Sequence, residues 1–483
     1  MEKLKTFFFQ NTNTKQTIVK NTFWLFLSET SGRLLKMGLI VYAARVLGAS
    51  GWGLFSYAIS VASLLTMFAD IGISDLVLRE ITQKKDGHKT FISTALLLKV
   101  IVLVISTFLV IFVSPFISHI PQANSLFFLV ALILFFDSMR ELGLSINRAS
   151  EKMERDMVVK VATNASIFIL GVLLLKMQLS PKSIALAYAI GSAIGFITVA
   201  ILIRKELRDL LAKVDLRIFK TIIKTTWPFV FITLIGVIMG NIDIYMLGIW
   251  KNAGEIGLYS SVQRIQQFIM ILPSTIAVAV FPLMSRLVNV DKQQFRVLLE
   301  KTLSMILLMG IPVAIGGILL ADQIILKVFG QDYVGAIPIF QVLMLMLLIS
   351  FPLVLLSNAI FAHNKQRNLA PAYTFGIIAN VIFNLLLIPK FGAVGSAVAT
   401  LVSTGTITLF IWMKLKKIND FAVLKNLKKS FLATLVMICF IFIFKYFEVG
   451  VMQNIFVSAF VYFATLLLLK ESIFKDLREM VRG

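Results

Sequence analysis

Three charged residues stand inside the first long apolar run of the chain. Glu29, Arg33 and Lys36 follow one another at spacings of four and three, so a helix puts them on one face. The next run carries Asp70 and Asp75, and a later one carries Asn241 and Asp243. Gln263, Arg264 and Gln267 share another helical face, with Ser260 one turn earlier. Charge at bilayer depth is costly, so such groups should face a protein interior or a wet cavity. Arginine forks match oxyanions. Carboxylate and amide oxygens suit hard cations, and carboxylates carry transported protons. Asp243 with Asn241, Asp70 and Glu29 are therefore candidates for ion coupling or gating. Blander readings stand beside these. Glu29 and Arg33 could form an intrahelical ion pair, and Asp243 could serve helix packing. Asp137, Arg140 and Glu141 read as a self-satisfied structural cluster, and Lys99 as a snorkelling or paired lysine.

Composition sets the class. Of 483 residues, 58% are hydrophobic, and the mean hydropathy is +0.89, which points to a polytopic all-α membrane protein. The net charge of +22 reads as topology signal beside helix ends rather than as nucleic-acid binding. One cysteine, Cys439, permits no internal disulfide. His88, His119 and His363 show no ligand spacing and read as solvated loop histidines, so no metal or cofactor is expected. Met1 to Lys20 lacks the apolar core and cleavage site of a signal peptide. There is no Asp-x-Asp pair and no Gly-Lys dipeptide, and loops of roughly 20 residues are too short for a catalytic domain, so an enzyme is not expected.

The elements that must hold these residues are about 14 membrane spans. The first two cover 20–45 and 53–78, around the break Arg45-Val-Leu-Gly-Ala-Ser-Gly-Trp-Gly53. The 47 Lys and Arg residues favour one side by about five to one, which predicts cytoplasmic termini. Leu47-Gly48 and Gly53-Leu-Phe-Ser56 recur as Leu247-Gly248 and Gly257-Leu-Tyr-Ser260. Ala149-x-x-Lys152 recurs as Ala362-x-x-Lys365. An even number of spans lies between the copies, so the expectation is a parallel duplication about an axis along the membrane normal. The predicted parts are an N-terminal lobe 1–203, a cytoplasmic linker 204–221, a C-terminal lobe 222–413, and two further spans with a tail in 414–483. Prolines after Trp227, Leu272, Phe281 and Phe351 should kink their helices.

The stretch Ala44-Arg-Val-Leu-Gly-x-x-Gly-x-Gly-x-Phe55, then Asp70-Ile-Gly-Ile-Ser74 and Leu78-Arg-Glu80, resembles the start of polysaccharide repeat-unit flippases. Leu387-Ile-Pro-Lys-Phe-Gly-Ala-Val-Gly-Ser-Ala-Val-Ala-Thr400 resembles a later stretch of the same family, within the multidrug/oligosaccharidyl-lipid/polysaccharide exporter superfamily. The resemblance implies two six-helix lobes, alternating access in the cytoplasmic membrane, and export of an undecaprenyl-diphosphate-linked oligosaccharide. It implies that Arg33 and Arg264 line the cavity; Lys36, inside the same span as Arg33, and Gln263 and Gln267, on the face of Arg264, read as further substrate contacts. The expected partners are the lipid-linked oligosaccharide, membrane lipids, a coupling cation (Na+ or H+) and a polysaccharide polymerase. The competing reading is a multidrug or small-molecule cation-coupled antiporter of the same superfamily.

Overall fold

A computed structural model of the chain describes residues 14–66, 72–83, 88–210, 214–422 and 427–469. Among them the regular structure is helical: α1 (Thr14–Thr66), α2 (Ile73–Gln83), α3 (His88–Ile117), α4 (Phe127–Ala149), α5 (Met153–Met177), α6 (Pro181–Leu202), α7 (Arg204–Leu210), α8 (Phe219–Trp250), α9 (Ala253–Ile269), α10 (Ile271–Leu287), α11 (Lys292–Leu319), α12 (Ala321–Val328), α13 (Ala336–Ala362), α14 (Leu369–Ile418), α15 (Lys428–Tyr446) and α16 (Val451–Leu468). Ten helical stretches among the described residues are long and apolar enough to cross a membrane. In lipid a helix satisfies its backbone internally, which is why long apolar runs take this form.

The two longest helices are interrupted. Gly48 (φ 67°, ψ 175°) breaks α1, and Gly392 (φ 56°, ψ −136°) breaks α14. Glycine enters positive φ without a Cβ penalty. Of the second expected span, 53–78, the described residues hold α1 as far as Thr66 and α2 from Ile73, and 67–71 lie outside them. Pro273 explains the break between α9 and α10, because its ring opposes the carbonyl four residues earlier, at Ile269. Pro282, Pro312 and Pro352 remain inside helices. Asp291 caps α11 by accepting from Gln293 N and Gln294 N at 2.8 and 3.0 Å.

The chain packs as two compact units, 1–257 and 258–483. In the first, α1 lies along α5 in parallel register. A Cβ on Gly32 would stand 3.0 Å from Asn164 Nδ2, and one on Gly171 would stand 2.6 Å from Leu39 Cδ1. Small residues let membrane helices approach this closely. Gly191 and Gly195 of α6 face Ile167 and Thr163 of α5, an antiparallel register. Gly53 and Gly257 form a reciprocal pair, in which each would drive a Cβ into a backbone oxygen: Ala253 O at 1.8 Å and Ala49 O at 1.7 Å. In the second unit, Gly310 faces Phe351 and Gly317 faces Met344, so α11 and α13 are antiparallel. Tyr462 of α16 donates to Leu308 O at 2.8 Å inside a buried cluster with Met437 and Ile441.

Each copy of the repeated motif carries an aromatic ring packed against a later helix. Phe55 packs on Tyr188 of α6, with ring centroids 5.2 Å apart. Tyr259, at the matching motif position, reaches Thr400 Oγ1 of α14 at 3.2 Å.

Candidate functional site

The charged face of α1 forms a triad with α5. Glu29 Oε2 lies 3.7 Å from Arg33 Nε, and Glu29 Oε1 accepts a hydrogen bond from Lys160 Nζ. Glu29 and Arg33 are half-exposed, at 50% and 47%, whereas the Lys160 side chain is 15% exposed. Lys36 is also exposed. The close approach at Gly32 and Asn164 holds the two helices together, and Asn164 donates back to Lys160 O at 2.8 Å. Half-exposed charges in the middle of an apolar helix require water or a polar ligand beside them.

A second set of ion pairs surrounds the triad. Lys20 meets Glu154 at 3.2 Å, Arg148 meets Asp156 at 2.8 Å, and Arg148 also lies 3.9 Å from Glu141. Arg140 pairs with Asp137 at 2.6 Å and with Glu141 at 3.6 Å, so the local cluster read from the sequence extends onto α5. Asp156 is fully buried. Lys99 is fully buried too, and donates to Ser74 Oγ at 2.6 Å instead of snorkelling. His363 is half-buried rather than solvated. Its Nδ1 donates to Ala359 O at 2.8 Å, its ring meets Phe295 edge-on, and burial lowers its pKa.

In the second unit, Arg264 Nη1 donates to Gln267 Oε1 at 2.9 Å. Gln263 is buried and Gln267 exposed. The next residue, Ile265, turns to a different wall. With Leu272, Met309, Phe340, Met437 and Phe463 it lines an apolar groove of about 480 Å³, in which Ser458 is the polar side chain. One helix thus offers a cation on one face and a dry groove on another.

The ion-coupling candidates are placed less completely. Asp243 of α8 is 2% exposed. Asn241 donates to Val237 O at 2.9 Å, and its own carbonyl accepts from Ser60 Oγ at 2.9 Å. Asp70 lies outside the described residues. Among the described residues no three His, Cys, Asp or Glu side chains gather as a metal site. The residue missed from the sequence is Lys160. Its signal was present in the helical spacing of Asp156, Lys160 and Asn164, four residues apart on one face.

The chain is 22% identical, over 80% of its length and 81% of the relative's, to the "Probable low-salt glycan biosynthesis flippase Agl15" of Haloferax volcanii. It is 21% identical to the capsular polysaccharide biosynthesis protein CapF of Staphylococcus aureus, over 80% of this chain and 96% of that one. Its fold matches the lipid II flippase MurJ in an inward closed conformation, with a TM-score of 0.77, 20% identity, and coverage of 94% of this chain and 99% of that one. It also matches an inward-facing multidrug resistance transporter of the MATE family, of the MOP superfamily, with a TM-score of 0.62, 13% identity, and coverage of 80% and 95%. The protein is a multi-pass membrane protein with the all-helical fold of these transporters. The polysaccharide biosynthesis protein family model matches residues 18–288, more than half of the sequence, and the chain belongs to that family.

Proposed function

We propose that this protein is a flippase that moves a lipid-linked oligosaccharide repeat unit, carried on undecaprenyl diphosphate, across the cytoplasmic membrane for surface polysaccharide biosynthesis. It works by alternating access between lobes 1–203 and 222–413, with both termini cytoplasmic. The observation that carries the reading is α9, which bears Arg264 and Gln267 on one face and, through Ile265 and Ile269, one wall of an apolar groove on another. A diphosphate needs cationic donors, and its prenyl chain needs a dry wall. Arg33, Lys36, Gln263 and Gln267 complete the polar contacts. Asp243, with Asn241, is the candidate for coupling to Na+ or H+. The likeness to a multidrug transporter fold supports one rival, a cation-coupled antiporter. Exposed arginine and lysine on α1 favour an anionic substrate over a drug cation.

The test is surface polysaccharide in cells carrying Arg33→Ala, Arg264→Ala or both, at matched membrane levels of protein. A hydrogen bond to a charged group contributes about 1.5–3 kcal/mol. Each alanine should therefore abolish export, and Arg→Lys should restore it only in part, because the fork is lost. Normal polysaccharide from the double variant would reject the anion cavity and favour the antiporter.

A further inference from the structure

Resting on the flippase reading, the structure assigns a further head-group ligand. We propose that Lys160 binds the substrate's phosphate oxygens together with Arg33, and that Glu29 occupies their place when no substrate is bound. The carboxylate sits between two cations from different helices, one oxygen towards each: Oε1 to Lys160 of α5 and Oε2 to Arg33 of α1. That is the arrangement a phosphate would take between the same two groups. The triad carries two positive charges and one negative, so an excess positive charge remains for a stronger anion.

Three features separate this from a simple tether. The Arg33 contact runs through Nε at 3.7 Å, longer than a hydrogen bond, so the fork is not committed to Glu29. Glu29 and Arg33 are each about half-exposed, so the carboxylate can swing into water, and Lys160, 15% exposed, takes the incoming phosphate in its place. The two cations are held at fixed separation by the parallel register of α1 and α5 at Gly32/Asn164 and Leu39/Gly171, and preorganised donors bind without reordering. The site lies about 10 Å along α5 from its first residue, within two turns of the helix start.

The experiment measures undecaprenyl diphosphate binding to the purified full-length protein in nanodiscs, with inorganic pyrophosphate as a second probe and thermal unfolding as the control for folding. Lys160→Gln should weaken binding of the lipid about tenfold. Glu29→Gln should strengthen it several-fold, because the internal competitor is gone. Lys160→Arg should keep most of the affinity. A purely structural Glu29–Lys160 bridge gives the opposite pattern: both Gln variants break one bridge, so they lower affinity or unfolding temperature alike. Effects of the same sign on affinity overturn the assignment. If the wild type ignores the lipid but binds pyrophosphate with opposite-sign effects in the two variants, the anion site stands and the lipid reading falls. If the wild type binds neither probe, both fall.

Discussion

At the scale of single residues, charge is placed by its partners. Glu206 of α7 accepts from Lys152 Nζ at 2.7 Å and Arg155 Nη1 at 2.8 Å. Burial alone would raise its pKa, but the hydrogen bonds from Lys152 and Arg155 outweigh that and hold the carboxyl at about 2. A carboxyl held below its ordinary value stabilises the fold fully above that value, and the contribution fades as pH falls from 4.5 towards about 2. Glu206→Gln should therefore lower thermal stability at pH 7, by about 1 kcal/mol after solvent screening, and flatten the acid limb in that window, where the wild type loses the same contribution. An unchanged acid limb would reject the cluster as a tie between α5 and α7. The candidate site was only partly legible at this scale. Glu29 and Arg33 are one turn apart, so spacing alone brings them together. The polar face of Lys160 was legible from its own helix, but its meeting with Glu29 depends on the parallel packing of α1 and α5, helices far apart in sequence.

At the scale of elements, glycine fixes how closely helices meet. The sequence shows Gly53 and Gly257 as matching letters of a repeat. Their physical role emerges only when Gly53 is set against Ala253 O and Gly257 against Ala49 O, two contacts that exchange under the same 204-residue offset. Either residue as alanine must force backbone apart, so Gly53→Ala and Gly257→Ala should each cost about 1–3 kcal/mol. Gly236 is the internal control, because a Cβ there meets nothing within 4 Å. Gly236→Ala should be neutral or stabilising by up to about 1 kcal/mol. Unfolding temperatures of the three variants in one detergent decide it, and equal shifts would reject the close-contact argument. The reciprocity also supports a duplication, as do Phe55 on α6 and Tyr259 on α14.

At the scale of the whole molecule, the direction of each helix is constrained by its neighbours. Consecutive spans must alternate, so spans separated by an even number of crossings run together. The packing registers obey this within each unit. α1 and α5 are parallel, as first and fifth spans must be, and α5 and α6 are antiparallel. Gly143 of α4 faces Val199 of α6 and Gly195 of α6 faces Arg140 of α4, a parallel register that suits fourth and sixth spans. α11 and α13 are antiparallel, and Gly376 meets Ile407 across the break at Gly392, so α14 doubles back on itself. Span existence was legible because hydropathy reports it directly. The break at Gly48 falls inside the interruption read at 45–53, whereas Pro273 cuts an apolar run that hydropathy reads as continuous. The charge bias then orients the whole set. Lys205 and Lys416 should be cytoplasmic and Lys251 outside. In a Cys439→Ala background, single cysteines at 205 and 416 should react with an impermeant maleimide only after the cells are opened, and a cysteine at 251 should react in intact cells. Labelling of position 205 or 416 from outside would invert the topology, move the Glu29–Arg33–Lys160 triad to the outer leaflet, and remove the route by which a cytoplasmic lipid diphosphate reaches it.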